Sequence, residues 1–579
     1  MRRILLLVRA AACCALIVAS GADSTASAGE LRKIEVEDLG AAFPYKVAVS
    51  PDGAEVYTIA RTSTGNSDPC SVEAFARASD GSVAPIGSEA FGAGVAAPCW
   101  IAVPQDGRHL YASAGSDQLA TFARDASSGA LTPIDTVSDV SGNLIASPDG
   151  HNIYATSAYL LATYTRDATS GALTRTDLEN GVAGPAPING AGGIALSPDG
   201  RNLYLGSAGA TSPDQSGPGP ALIVFARDAS SGALEFVTAL FQGENGVDGL
   251  ASPAKVAVSP DGRNVYVAGA SANADDVAMF ARDAAGTLTY LGQATGAGFT
   301  RDDDGAIAIS PDGERVLVTG KQLVVAPGGY RPDGFSIFRR DATTGLLSHR
   351  ETLLRQPTPS ARDLAYPTSI AFAPDGRNVY VTGAGEQALV AYRVLPHCSA
   401  EPLAGCRVPT LPRRAPITLR HAARDSVLWK WRSGQATSAA DLGDPRSTTD
   451  YAFCLHREAA GVWQSLLELV VPAASTCGRS AAPCWRGDGT PPGSVGYVFR
   501  DAGLQNDGIA ELRLGAGAEG RASILLRARG SGMALPTLPL APSDHVVVQL
   551  RNSDGSCWSA WYATPATVNS AQRFVDSND

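Results

Sequence analysis

Residues able to do chemistry stand at recurring places in this chain, just ahead of short apolar runs. Tyr45 and Lys46 precede VAVS, Trp100 precedes IAVP, and Asn143 precedes LIAS. Asn189 leads into IALS, Lys255 into a second VAVS, Arg301 with Asp302, Asp303 and Asp304 into IAIS, and Tyr366 into IAFA. A carboxylate can activate water while a neighbouring cation or donor holds an oxyanion. The run Asp302-Asp303-Asp304-Gly305 also has the oxygens a hard cation takes. Three acids beside a turn are more often a solvated loop, so no metal is assigned. The sequence contains no HExxH, no GxSxG, and no CxxC or His-rich spacing for zinc. GAGAEG (515–520) spells GxGxxG, but the RASILLRARG after it alternates like a strand. A hairpin turn is expected there, and no cofactor is implied.

The apolar runs belong to a phrase repeated seven times. VAVSPDGRNVYVAG (256–269) returns with small changes at 47–60, 101–114, 144–157, 194–207, 307–320 and 370–383. Each copy reads as a hairpin: a short strand, a PDG turn in which Gly takes φ > 0, and a β-branched, aromatic return strand. A second phrase, FARDASSGALEFV at 225–237, follows six of the copies and reads as strand, Asp/Ser/Gly turn, strand. Four strands every 40–50 residues describe a propeller blade. The seventh copy lacks its last strand, and GELRKIE (29–35) matches the missing pattern. The N-terminal strand is therefore expected to complete the last blade and close a seven-bladed ring.

SPDGRNVYV with FARDASSGALT resembles the lactonase-type, or YVTN-type, seven-bladed β-propellers over residues 29–396. That family includes bacterial 6-phosphogluconolactonase and carboxymuconate-lactonizing enzymes. The resemblance implies a His just ahead of an innermost strand and a Glu just after the following strand. Here the segments ahead of the innermost strands are FPYK, APCW, VSGN, NGAG, SPAK, DDDG and YPTS, without His. His109 and His151 follow PDG-type turns at the opposite end and read as surface substitutions. Glu386 lies near the expected Glu but out of step. Catalysis is thus left open, and no catalytic residue is assigned. The candidate ligand-binding rim is Tyr45, Lys46, Trp100, Asn143, Asn189, Lys255, Arg301, Asp303 and Tyr366, served by variable segments such as 61–74, 207–222 and 321–336.

Composition changes after residue 396. Segment 397–416 is rich in Pro and reads as a stiff linker pinned by Cys398–Cys406. Beyond it lie six of the seven tryptophans and eight strand-like runs, from SVLWKW (426–431) to CWSAWY (557–562). A small β-sandwich over 417–579 is expected, making the chain all-β. This part resembles an unnamed β-rich module of exported bacterial proteins. Trp429, Trp431, Trp558 and Trp561 could bind carbohydrate or a surface, although buried rings are the commoner case.

MRRILLLVRAAACCALIVASGADSTASA reads as a signal peptide cleaved after Ala28, giving a periplasmic or secreted protein. Of ten cysteines, Cys13 and Cys14 would leave with it. Cys70, Cys99, Cys398, Cys406, Cys454, Cys477, Cys484 and Cys557 are then expected in disulfides. Proximity suggests Cys70–Cys99 and Cys398–Cys406, with the last four pairing among themselves. A net charge of −11 disfavours nucleic acid and anionic membrane, and no later run is long enough to span a bilayer. The expected partner is a small molecule, a glycan or an envelope protein. The favoured reading is a binding module of lactonase-like fold. An extracytoplasmic lactone hydrolase and a structural envelope protein are the alternatives.

Overall fold

The computed structural model describes residues 30–579 apart from 41, 62–68, 93–98, 115–117, 140–141, 182–184, 210–218, 252, 254, 270–275, 296–298, 301–304, 323–332, 355–365, 400, 478–481, 491–492, 494, 531–532, 534 and 542–544. The signal-peptide reading lies outside these residues. The rest forms two compact units, Gly29–Pro396 and His397–Asp579.

The first unit is a seven-bladed propeller. Its blades are numbered here in chain order, and the strands of each are a to d from the inside outward. Blade 1 is Phe43–Val49, Glu55–Arg61, Cys70–Arg77 and Val83–Phe91, hydrogen-bonded in that order. Each innermost strand neighbours that of the next blade, and the seventh meets the first. The repeated phrase explains each hairpin. In blade 3 the Ser147 hydroxyl donates to Asp149 at 2.6 Å and accepts the Asn152 N–H at 2.9 Å. Gly150 closes the turn at φ +72°, where only glycine is unstrained. In the second phrase the Asp228 carboxylate accepts the N–H groups of Ser230 and Ser231 at 3.0 and 2.7 Å.

Apolar clusters fill the seven clefts between neighbouring blades. Between blades 1 and 2, for example, Tyr57, Ile59 and Val72 meet Leu110, Ala112 and Phe122. At six of the seven junctions one arginine adds a polar tie across the cleft. Arg227, in strand c of blade 4 (Ala221–Arg227), donates to the Gly200 carbonyl of its own blade at 3.0 Å. It also reaches into blade 3, to the Tyr154 hydroxyl at 2.6 Å, Asp149 at 2.8 Å and Asn152 at 2.7 Å. Tyr154 in turn donates to the Gly232 carbonyl at 2.8 Å. The letters P-D-G, N, Y, R and G of the two phrases thus meet in one buried network. Equivalent Arg–Asp pairs are Arg77–Asp375, Arg124–Asp52, Arg166–Asp106, Arg282–Asp199 and Arg340–Asp261.

The junction of blades 6 and 7 lacks this set, because Leu317 and Val394 occupy the Tyr and Arg positions. Here the N-terminal strand supplies the tie. Leu31–Asp38 pairs antiparallel with Ala388–Val394 as the outer strand of blade 7, so the expected closure is formed, a few residues further along than 29–35. Glu30, just before it, accepts from Arg315 at 3.0 Å and from Arg339 at 2.7–2.8 Å. Arg315 also donates to the Leu395 carbonyl at 2.6 Å.

The second unit is a β-sandwich around a single core cluster. One sheet has four strands, in the order Val462–Val471, Tyr451–Ala459, His545–Asn552, Cys557–Ala563. The other has eight, running from Trp485–Asp488 through Gly496–Arg500, Ile509–Gly515, Ala522–Gly530, Asp425–Gly434, Ile417–Arg420 and Arg573–Asp576 to Val568–Ser570. All eight expected strands are present, and GAGAEG is the hairpin turn between Ile509–Gly515 and Ala522–Gly530. Two pairing expectations fail. Cys70–Cys99 and Cys477–Cys484 form, but Cys398 pairs with Cys454 and Cys406 with Cys557. The reason is lateral: the segment holding Cys398 and Cys406 lies across the outer face of the four-stranded sheet, where Leu403 exchanges two hydrogen bonds with Gln549 at 2.9 and 2.8 Å. It is sewn to that sheet and is not a free linker. Among the described residues no helix is long and apolar enough to cross a membrane.

Candidate functional site

The expected rim lies at the propeller end opposite the PDG turns. There the structure brings the entrances of blades 7 and 1 together. Lys46 donates to the Thr368 carbonyl at 3.5 Å, and the Thr368 hydroxyl donates to the Pro44 carbonyl at 2.9 Å. Tyr366, two residues upstream, is half exposed at φ +54°, and its carbonyl accepts the Ala384 N–H at 3.0 Å. Blades 3 and 4 are joined the same way, since the Asn143 amide donates to the Gly192 carbonyl at 2.8 Å. Asn189 is held through its backbone by the Ser207 hydroxyl at 3.0 and 2.9 Å. Tyr45 and Trp100 pack against the clusters between blades 1–2 and 2–3. Lys255 opens the innermost strand of blade 5, Lys255–Val258, and is half-buried. Glu386 lies in the turn between Asn378–Gly383 and Ala388–Val394, at the same end. Arg301 and Asp303 lie outside the described residues.

The described rim therefore offers ammonium, amide and phenol groups, of which Lys46 and Asn143 tie blade to blade. The titratable groups with displaced acidities cluster at the other end. Burial raises the Asp149 carboxyl, but bonds from Ser147, the His151 N–H and Arg227 outweigh it, so the group ends below the usual range. Asp199 and Asp261 are lowered in the same way by Ser197 with Arg282 and Ser259 with Arg340. Burial pushes the Tyr154, Tyr266 and Tyr380 hydroxyls up to about 12. These are structural ties rather than poised acids and bases.

His109 corrects its sequence reading. It is 4% exposed and occupies the position that Asn152 and Asn202 hold in later blades. Its Nδ1 is 2.8 Å from Arg166 Nη2. A guanidinium only donates, so Nδ1 accepts and the ring is neutral with its proton on Nε2. Burial and the Arg166 charge both lower its pKa, against an opposing contribution from Asp106. His151 is exposed, as expected.

In the second unit Trp429, Trp431 and Trp558 are fully buried. Their indole N–H groups donate to the Tyr562 hydroxyl, the Ser559 carbonyl and the Thr437 hydroxyl at 3.0, 3.0 and 3.1 Å. Period two puts both rings of WKW on the core face. Trp561, 44% exposed, is the remaining member of the expected aromatic set, and it meets Trp463 edge-on at 5.8 Å.

Residues 92–189 and 219–364 match the family model described as lactonase, 7-bladed beta-propeller. No curated protein matches the chain by sequence. Similar solved structures include a candidate 6-phosphogluconolactonase from Bacteroides uniformis (19% identity, 56% of this chain and 87% of that one, TM-score 0.42). Others are the periplasmic gluconolactonase of Pseudomonas aeruginosa (19%, 57% and 89%, TM-score 0.40) and hydrazine synthase of Kuenenia stuttgartiensis (19%, 60% and 95%, TM-score 0.40). At these identities the likeness concerns the fold alone.

Proposed function

Starting from residues 29–396 as a seven-bladed propeller of the lactonase type, we propose that the protein binds a ligand or a surface outside the cytoplasm. Binding uses the propeller end that carries the variable segments, and lactone opening by the family's His-and-Glu arrangement is not its activity. The observation that carries this reading is the use made of the rim: Lys46, Asn143 and Thr368 spend their polar ends on ties between blades. Rigid inner strands presenting variable segments are a common basis for recognition. Four disulfides fit an oxidising compartment.

A second reading, an extracytoplasmic lactone hydrolase, is favoured by the family match. A pH-stat panel of lactones on residues 29–579 separates the two. The expected result is proton release at the uncatalysed rate. Release above it, abolished in Lys255→Ala or Asp303→Ala, would overturn the binding reading and establish the hydrolase.

A further inference from the structure

The outer face of the eight-stranded sheet is cationic, in a chain whose net charge is −11. Its strands alternate, apart from register shifts at Ile509/Glu511 and Trp431/Gly434. Phe499, Leu512, Leu514, Leu526, Trp429 and Trp431 point into the core, so their neighbours in sequence point out. In register across the sheet, one row reads Arg500, Glu511, Arg527, and the next reads Arg486, Val498, Arg513, Leu525, Lys430. A third places Arg420 directly opposite Arg573, with Arg529 one strand beyond Ser426.

Glu511 is the only carboxylate in these rows, and three guanidiniums converge on it. Arg513 lies at 2.6 Å, Arg527 at 3.0 Å and Arg500 at 3.6 Å, with side chains 49%, 56% and 64% exposed. Burial raises the Glu511 carboxyl, but the bond and charge of Arg513 and the charges of Arg527 and Arg500 bring it below the usual range, so it stays ionised. One negative charge thus orients three positive ones and leaves most of their donors facing water.

Solubility does not call for such an array, since interspersed signs serve it better. Like charges directly opposite on a sheet are destabilising, as at Arg420 and Arg573. A bound anion offsets that repulsion. The array is flat and open, with strands about 4.8 Å apart, so it suits an extended polymer bearing charge at regular intervals. The face is poor in what other polyanions need. Its tryptophans and phenylalanines are turned into the core, so it has no stacking platform for bases and no aromatic anchors for a bilayer interface. Guanidinium forks match carboxylates in pairs.

We propose that this face, centred on Arg500, Arg513 and Arg527 around Glu511, binds a linear acidic polysaccharide through its carboxylates. The proposal goes beyond the propeller reading and does not depend on it.

The test uses residues 29–579 and polygalacturonate in calorimetric titration, with dextran, oligothymidylate and anionic phosphatidylglycerol vesicles as comparisons. Binding to polygalacturonate and not dextran is expected, weakening as salt rises. Arg513→Gln/Arg527→Gln/Arg529→Gln should weaken it about tenfold, the sum of three exposed ion pairs. Arg201→Gln, on an exposed propeller turn, should not change it. These side chains lie outside the core, and near-ultraviolet circular dichroism of the buried tryptophans checks that the variant is folded. The proposal is overturned by absent binding at low salt, by a folded triple variant that binds as wild type does, or by equal or tighter binding to oligothymidylate or vesicles.

Discussion

Glu30→Gln should weaken the propeller at its closure. Glu30 is 9% exposed and faces Arg315, 2% exposed, and Arg339, 16% exposed. Removing one partner of a buried pair leaves a charge without its counter-ion and costs about 3–5 kcal/mol. The Leu395 carbonyl still receives Arg315, and Arg339 can reach water, so the lower end applies, about 3 kcal/mol. For a domain of this size that is a fall of roughly 5 °C in the propeller transition. The dependence on pH gives a second check. Burial raises the Glu30 carboxyl, but the charges and bonds of Arg315 and Arg339 leave it below its ordinary value. A lowered pKa contributes stability that is complete above the unfolded value of about 4.3 and is lost as pH falls through the folded value. The gap between wild type and variant should therefore be full at pH 7 and shrink below about pH 4. Carboxylates remote from Glu30 titrate in both proteins and cancel in the difference. Glu351, raised by burial and in part by the Glu30 charge, moves down in the variant and adds a smaller change of its own. Scanning calorimetry of residues 29–579 provides the measurement. A propeller transition within 1 °C or so of wild type at pH 7, or a gap that does not change with pH, would refute the claim that this carboxylate locks the ring.

Other consequences follow from the same contacts. Arg227→Lys keeps the charge but cannot reach Gly200, Tyr154, Asp149 and Asn152 together, and should cost about 2–4 kcal/mol in urea unfolding. His109→Asn restores the residue of later blades. The buried neutral imidazole has a lowered pKa, so wild type should lose stability as pH falls below about 6.5, and the variant's advantage should grow from pH 7.5 to pH 5.5 in thermal melts. Cys406→Ser/Cys557→Ser opens a bridge spanning 151 residues and should destabilise the second unit by about 3–5 kcal/mol, leaving the propeller transition unchanged.

Legibility followed the range of the interactions. The PDG and RD-x-x-x-G turns are local, so their hairpins could be read from Ser147–Asn152 or Asp228–Gly232 alone. The closing strand was legible because the seventh copy visibly lacked one. The pairing of Cys398 was not, because its partner Cys454 is a neighbour across a sheet face and not along the chain. His109 was misplaced for a related reason. The residue after a turn looks exposed, but here it begins a strand packed into the next blade beside Arg166. In the sequence the cations of Ile509–Gly515 and Ala522–Gly530 show only as an alternation along each strand. Their assembly into one face requires the strand order, which the sequence does not state. Of the rim, the ties made by Lys46 and Asn143 depend on which strand stands next to which, and Arg301 and Asp303 lie outside the described residues.

The matched stretches 92–189 and 219–364 contain Asp106, Arg124, Asp149, Arg166, Arg227, Asp261, Arg282 and Arg340. Each of these belongs to an inter-blade tie. The similarity to the lactonase family is therefore dense in the groups that hold the ring together. A network that already engages all three guanidinium nitrogens of Arg227 cannot turn that group to an oxyanion without giving up bonds, and a buried unpaired donor costs about 1–3 kcal/mol. Chemistry at the turn end would thus compete directly with stability. The conflict is weaker at the variable end, which lies opposite the turn network, although Lys46, Asn143 and Thr368 are engaged there in ties between blades. It is weaker still on the outer face of the eight-stranded sheet, where Arg500, Arg513 and Arg527 share one carboxylate and keep donors in water. Recognition is least costly to the fold at those two places, and a search for ligands should begin there.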